Sequence, residues 1–154
     1  MNELIARFDA AFPAMWDDYE SPTTESIARI EARFGFTIPP LLVEFARKSN
    51  SYSSFFLSLG PDYSFHSHII AKNEFIRSDA YWLSMGRPAP SGLVFLTENF
   101  MEDFFWCLDI RGTTTENAVV LWRSGSGVDM AASYANFEHF VLGQVEYYEL
   151  RFRQ

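Results

Sequence analysis

Three groups of side chains in this sequence have types and spacings that chemistry would need. His66 and His68 stand two residues apart. On a strand, where i and i+2 point to one face, they would offer two imidazoles to a metal, with His139 or an acid completing the site. The sequence has no Cys pair and no second His cluster, so the histidines read as polar surface residues and no metal or other cofactor is expected. Cys107, the single cysteine, would act as a nucleophile only if partly exposed beside positive groups. Between Trp106 and Leu108, and with acids expected near it, it reads as a buried small hydrophobe. Carboxylates pair at Asp17-Asp18 and Glu102-Asp103. General acid–base work needs two carboxyls facing one pocket in different environments, whereas neighbours on a turn splay apart, so both pairs read as surface charge for binding. Asp109 ends a predicted strand, where its expected role is to hold a turn by accepting from backbone N–H groups. There is no Walker A loop, G-x-G-x-x-G, G-x-S-x-G or H-E-x-x-H, and the expectation is a protein that is not an enzyme.

The elements that must position these residues follow from periodicity. Leu4, Phe8, Ala11, Phe12, Met15, Trp16 and Tyr19 keep helical spacing over residues 2–20, with Pro13 dividing or kinking the run. Ser21 to Thr24 supplies a turn and candidate N-caps. Ile27, Ile30 and Phe34 share one face of the next helix, which Gly35 ends in a left-handed C-cap, with Phe36 folding back onto Ile30. Pro39-Pro40 starts another helix with Leu41, Leu42, Phe45 and Ala46 on its apolar face. Tyr52–Leu59 reads as a strand closed by Gly60-Pro61-Asp62, Phe65–Ile70 as a second short strand, and Asn73–Met85 as a helix carrying Ile76, Ala80 and Leu83. After the polar link 86–92 come three strands, Leu93–Leu96, Phe104–Ile110 and Ala118–Trp122, joined by connections that suit an antiparallel meander. Phe104, Trp106 and Leu108 share one face of the middle strand and Phe105, Cys107 and Asp109 the other, which predicts a central strand. Gly125-Ser126-Gly127 opens a loop, and Asn136 caps a last helix with Phe137, Phe140, Val141 and Val145 inward.

At 154 residues, with 48% hydrophobic and 18% aromatic residues, the chain can bury a substantial core and reads as one folded domain spanning 1–154. No apolar run is long enough for a membrane span, and the N-terminus lacks the charged-then-apolar layout of a secretion signal. With a single cysteine, these features predict a protein of the reducing cytoplasm. The net charge of −8 is concentrated. Residues 1–25 hold six acids (Glu3, Asp9, Asp17, Asp18, Glu20, Glu25) against Arg7, and residues 98–116 hold five (Glu98, Glu102, Asp103, Asp109, Glu116) against Arg111. Such a field repels nucleic acid phosphates and attracts basic proteins, so direct nucleic acid binding is not expected.

An ordered series of motifs resembles the SUKH superfamily, bacterial immunity proteins related to a fungal regulator of cell-wall synthesis. It begins with Gly35-Phe36, Ile38-Pro39-Pro40, the Leu42-x-x-Phe45 helix and Lys48-Ser49-Asn50. It continues with Pro90-Ser91-Gly92-Leu93-Val94, the acidic turn 98–103, Trp106-Cys107-Leu108-Asp109, Val119-Val120-Leu121-Trp122 and Asn136-Phe137-Glu138-His139-Phe140, covering about residues 24–142. Relatives usually carry glycine after the asparagine, where this chain has Ser51. The resemblance implies an α+β fold with one mostly antiparallel sheet of five to six strands flanked by N-terminal and C-terminal helices.

It also implies an immunity protein that binds a cognate toxin. With the acidic segments added, the expected partner is a basic nuclease whose phosphate-binding face is occluded. The expected contact residues are Glu98, Asn99, Phe100, Met101, Glu102 and Asp103, with Asp17, Asp18 and Glu116; Phe100 and Met101 anchor while the acids steer. The alternative is a non-catalytic scaffold or regulator like the fungal branch, although those resemble this domain set in much longer chains.

Overall fold

In the computed structural model the described residues are 1–12, 20–56, 64–78, 90–97, 104–112, 117–123 and 127–152. Helix α1 (Asn2–Ala11) turns Leu4, Ile5, Phe8 and Ala11 inward. Of the run expected over 2–20, residues 13–19 lie outside the described set. Helix α2 (Thr24–Phe34) starts at a capping box: the Ser26 N–H donates to Thr23 Oγ1 at 3.1 Å, and the Thr23 N–H donates to Ser26 Oγ at 2.9 Å. It ends at Gly35 with φ +71°, where a side chain would be strained. The proline-bearing corner that follows is clamped from within α2, because Glu31 Oε1 accepts the Ile38 N–H at 2.9 Å. Helix α3 (Pro40–Lys48) then buries Leu42, Val43, Phe45 and Ala46.

The next two elements differ from the expected strands. Residues Tyr52–Phe56 form a short helix, α4, and Phe65–Ser78 form helix α5. Asp9 of α1 decides the first. Its carboxylate accepts from Ser49 Oγ at 2.6 Å and from the Asn50 and Ser51 N–H groups at 3.1 Å each, just ahead of α4. Tyr52 and Phe56, four residues apart, then stack at 4.6 Å between ring centroids inside the core. Ser51 is buried and has no left-handed backbone, so the glycine usual in relatives is not needed here. In α5, Phe65, Ile69 and Ile76 reach the interior at helical spacing, which overrides the β propensity of a short Phe/Ile-rich run. Asn73–Ser78 of the expected 73–85 helix belongs to α5; Ala80 and Leu83 lie outside the described residues.

The sheet is the antiparallel meander expected, in the order β1 (Leu93–Phe95), β2 (Phe104–Asp109), β3 (Val119–Arg123), β4 (Gly127–Tyr134). These are four strands among the described residues, against the five to six expected, since residues 52–56 and 65–70 are helical and β4 stands where a loop was expected. Val94 pairs with Leu108 and Cys107 with Val120, which makes β2 central; a bulge falls between Val120 and Leu121 against β4. Both faces of β2 are buried. Leu108 joins the main core with α1, α3, α4 and helix α6 (Phe137–Phe152), whereas Phe105 and Cys107 join Ile76, Leu93, Phe95, Val120 and Trp122 on the other face. Helix α6 starts as expected, with Asn136 Oδ1 accepting the His139 N–H at 2.9 Å. The fold is α+β.

Asp9 ties the N-terminal helix to the α3–α4 corner through charge-assisted bonds, so Asp9→Ala is expected to lower stability by about 2–3 kcal/mol in urea denaturation. Asp9→Asn, which keeps an acceptor oxygen, should lose less. Equal losses would show that the carboxylate acts only through its charge.

Candidate functional site

Of the residues expected to touch a partner, 98–103 and Glu116 sit in the connections before and after β2, whereas Asp17 and Asp18 lie between α1 and α2. At the C-terminal end of β2, the Asp109 side chain is fully buried and accepts from Arg111 Nε and Nη2 at 2.8 Å each and from the Arg111 N–H at 3.0 Å. Asp109 thus holds the turn as expected, but with a guanidinium as well as a backbone donor, and this hydrogen bonding raises the Arg111 pKa. Gly92, at φ +81°, lies against that side chain: a Cβ there would stand 2.5 Å from Arg111 Cγ. The Ile110 N–H donates to Gly92 O at 2.9 Å, extending the β1–β2 pairing by one residue at its open end.

At the other end, Leu96 and Thr97 donate their N–H groups to Trp106 O, at 2.8 and 3.3 Å. Phe104 pairs with Arg123, whose guanidinium lies 5.5 Å from the Phe104 ring centroid. Glu98, Asn99, Phe100, Met101, Glu102 and Asp103 fall between Thr97 and Phe104 and lie outside the described residues, as do Asp17, Asp18 and Glu116. What the topology does place is the ends of their connections. Residues 98–103 join the start of β2 and residues 113–116 follow its end, so the two connections are anchored roughly 17 Å apart along a six-residue strand. Two members of the acidic segments, Asp9 and Asp109, are engaged internally, and Glu25 pairs with Arg29 at 2.6 Å on the surface.

Helix α5 covers the outer edge of β1 with side chains, which nothing in the sequence signalled. Asn73 Nδ2 donates to Phe95 O at 3.0 Å and to Ile69 O at 2.7 Å, while Asn73 Oδ1 accepts the Phe95 N–H at 2.8 Å. One amide side chain therefore supplies what a neighbouring strand would. Arg77 donates to the carbonyls of Leu93 and Pro90.

The histidine pair is not one. On a helix, residues two apart diverge, and His66 lies beside a polar hollow of about 200 Å³ with Glu20, Thr23 and Arg29, while His68 is buried. Among the described residues no three His, Cys, Asp or Glu side chains converge as metal ligands would. Burial, then the Lys72 ammonium, push the His68 pKa well below 6.5; the carbonyls of Leu96 and Phe56 pull weakly the other way without completing a hydrogen bond to either ring nitrogen. His68 is therefore neutral in the fold and takes a proton on unfolding. Its contribution is fully present above pH 6.5 and is lost as pH falls below that value, at about 1.4 kcal/mol per pH unit. His68→Leu is expected to flatten the fall in stability between neutral pH and pH 5, followed as Tm against pH. A parallel profile would show that His68 does not titrate on unfolding.

Cys107 is buried, and burial pushes its thiol well above 9.0. Its charged neighbours include Arg77 and Arg111 as well as Asp109, so the cause is desolvation rather than the acids expected near it.

Among the described residues no helix is long and apolar enough to cross a membrane. No curated protein matches the chain. The SMI1 / KNR4 family (SUKH-1) matches residues 21–143, from the turn before α2 to the middle of α6. The motif series quoted from Gly35 to Phe140 falls inside that stretch, and the chain belongs to the SMI1 / KNR4 family (SUKH-1).

Proposed function

We propose that this protein is an intracellular immunity protein that binds a cognate toxin, a basic nuclease, and neutralises it by covering its active surface. Family membership supports a toxin-immunity or Smi1-like regulatory role exercised by binding a partner protein, and this is the observation that carries the proposal. The nuclease is inferred from charge. A phosphate-binding face must be basic, and an acidic partner occupies it in place of the nucleic acid backbone. The contact is assigned to Glu98, Asn99, Phe100, Met101, Glu102 and Asp103, with Asp17, Asp18 and Glu116 contributing to the field.

The test is recovery of partners on the purified, tagged protein at low and raised salt, followed by affinity measurement with the recovered domain. Glu98→Lys/Glu102→Lys/Asp103→Lys is expected to weaken binding by at least about tenfold without changing Tm, since loss of a desolvated charge contact costs about 2 kcal/mol or more. Unchanged affinity would remove these residues from the contact. Recovery of a signalling complex held regardless of salt would favour the regulatory role.

A further inference from the structure

Between the end of α2, the last turns of α5 and the open end of the β1–β2 pair lies a hollow of about 240 Å³. Much of its wall is apolar: Leu93 and Val94 are buried there, and Phe34 and Ile110 are half-buried. Three charged side chains line it as well, Arg33, Glu74 and Arg77. They do not balance. Arg33 Nε donates to Glu74 Oε1 at 3.0 Å, which pairs one of the two cations with the single anion.

Arg77 is the cation left over. Its guanidinium donates to the carbonyls of Pro90, at 3.2 Å, and of Leu93, both neutral acceptors, and stands 5.9 Å from the Phe95 ring centroid. Burial lowers the Arg77 pKa and Arg33 lowers it further; the group acting the other way is Cys107, a thiol that burial keeps protonated. Arg7 and Arg111, by contrast, are each held by a carboxylate. A partly desolvated cation without a counter-charge is costly, and in a chain of net charge −8 a hollow with two cations against one anion reverses the sign locally.

Donors remain to answer that charge. A guanidinium has five N–H groups; Arg77 uses two on the carbonyls, and Arg33 uses one on Glu74. Their planar forks match a carboxylate. The volume equals roughly eight water molecules at about 30 Å³ each, which suits one small acid. We propose that this hollow binds a small monocarboxylic acid with an apolar body, its carboxylate on Arg77 and Arg33 and its hydrocarbon part against Phe34, Val94 and Ile110. A dianion such as inorganic phosphate fits less well, because Glu74 lines the same space. The site does not rest on the toxin-binding reading.

The test is titration of the isotope-labelled full chain with phenylacetate, alongside neutral phenylacetamide, inorganic phosphate and a capped Leu-Glu-Leu tripeptide. Saturable amide shifts at residues 33–34, 74–77, 91–94 and 110 are expected, with a Kd of about 1 mM or tighter for phenylacetate and at least about tenfold weaker binding of the amide and of phosphate. Arg77→Met should lose about tenfold or more in affinity. Two surface variants decide the matter even if that one fails to fold. Glu74→Gln removes the competing anion and should tighten binding about threefold, whereas Ser91→Asp adds an anion and should weaken it by a similar factor, both with Tm unchanged. No saturation by about 10 mM, shifts confined to other surfaces, equal binding of phenylacetamide, or unchanged affinity in both surface variants would each overturn the proposal. Tighter binding of the tripeptide at these amides would overturn it too, by assigning the carboxylate to a protein side chain.

Discussion

Arg111→Met is expected to cost about 3–5 kcal/mol of folding stability, the usual effect of breaking a buried ion pair by removing one partner. The Asp109 side chain has no exposed surface, and it is the Arg111 guanidinium, bound through two nitrogens, that neutralises it. Methionine keeps much of the packing over Gly92 but leaves the carboxylate buried without that cation. Asp109→Asn in the same background should restore part of the loss, because an amide is far cheaper to bury than an anion. Urea denaturation of the two single variants and the double variant gives the coupling directly. A loss under about 1 kcal/mol for Arg111→Met, the range of solvated surface pairs, would show that water replaces the guanidinium.

Asn73→Ala is expected to cost about 2–4 kcal/mol, since an unpaired buried donor or acceptor costs about 1–3 kcal/mol and Phe95 loses a partner for both its N–H and its C=O. Asn73 and Phe95 are both fully buried, so water is poorly placed to substitute. The effect should also be local. Hydrogen exchange at the Phe95 amide is expected to accelerate more than exchange at Val120 in the sheet interior. Asn73→Asp should be at least as damaging, because it removes the donor and adds a buried charge. If Phe95 exchange is unchanged in Asn73→Ala, α5 does not protect the edge of β1 through this side chain.

The two stability predictions bear on different parts of the protein's work. Arg111 and Asp109 hold the end of the hairpin from which residues 113–116 continue, while Asn73 holds the strand that leads into residues 98–103. A partner-binding loss in either variant, at a temperature where both remain folded, would mean that the framework of the hairpin sets the geometry of the contact. Retained affinity would place recognition in side chains that do not depend on it.

Local interactions explain what was readable in the residues alone. The Thr23 cap, the Gly35 stop, the proline start of α3 and the Asn136 cap of α6 each join groups within a few positions, so their residue types are sufficient signals. The meander of β1, β2 and β3 was legible for the same reason: short connections and apolar runs leave few alternatives, and the ordered motifs lie inside the stretch that the family matches. The acidic segments were legible as charge but not as surface. Asp9 and Asp109 look in sequence like any other carboxylate, yet both are consumed inside the fold.

Tertiary structure alone decided the middle of the chain. Residues 52–56 are helical with help from a carboxylate forty-two positions before Ser51, and Phe65 and Ile69 are on one helix with Ile76 because the first two reach the main core while Ile76 reaches the cluster on the other face of the sheet. His66 and His68 lost their common face with that change of period. Asn73 and Arg77 became edge protection because β1, twenty residues later, passes beside them. None of these pairings has a local signature, since the energy that selects them comes from burial and from hydrogen bonds between residues that only the folded chain brings together.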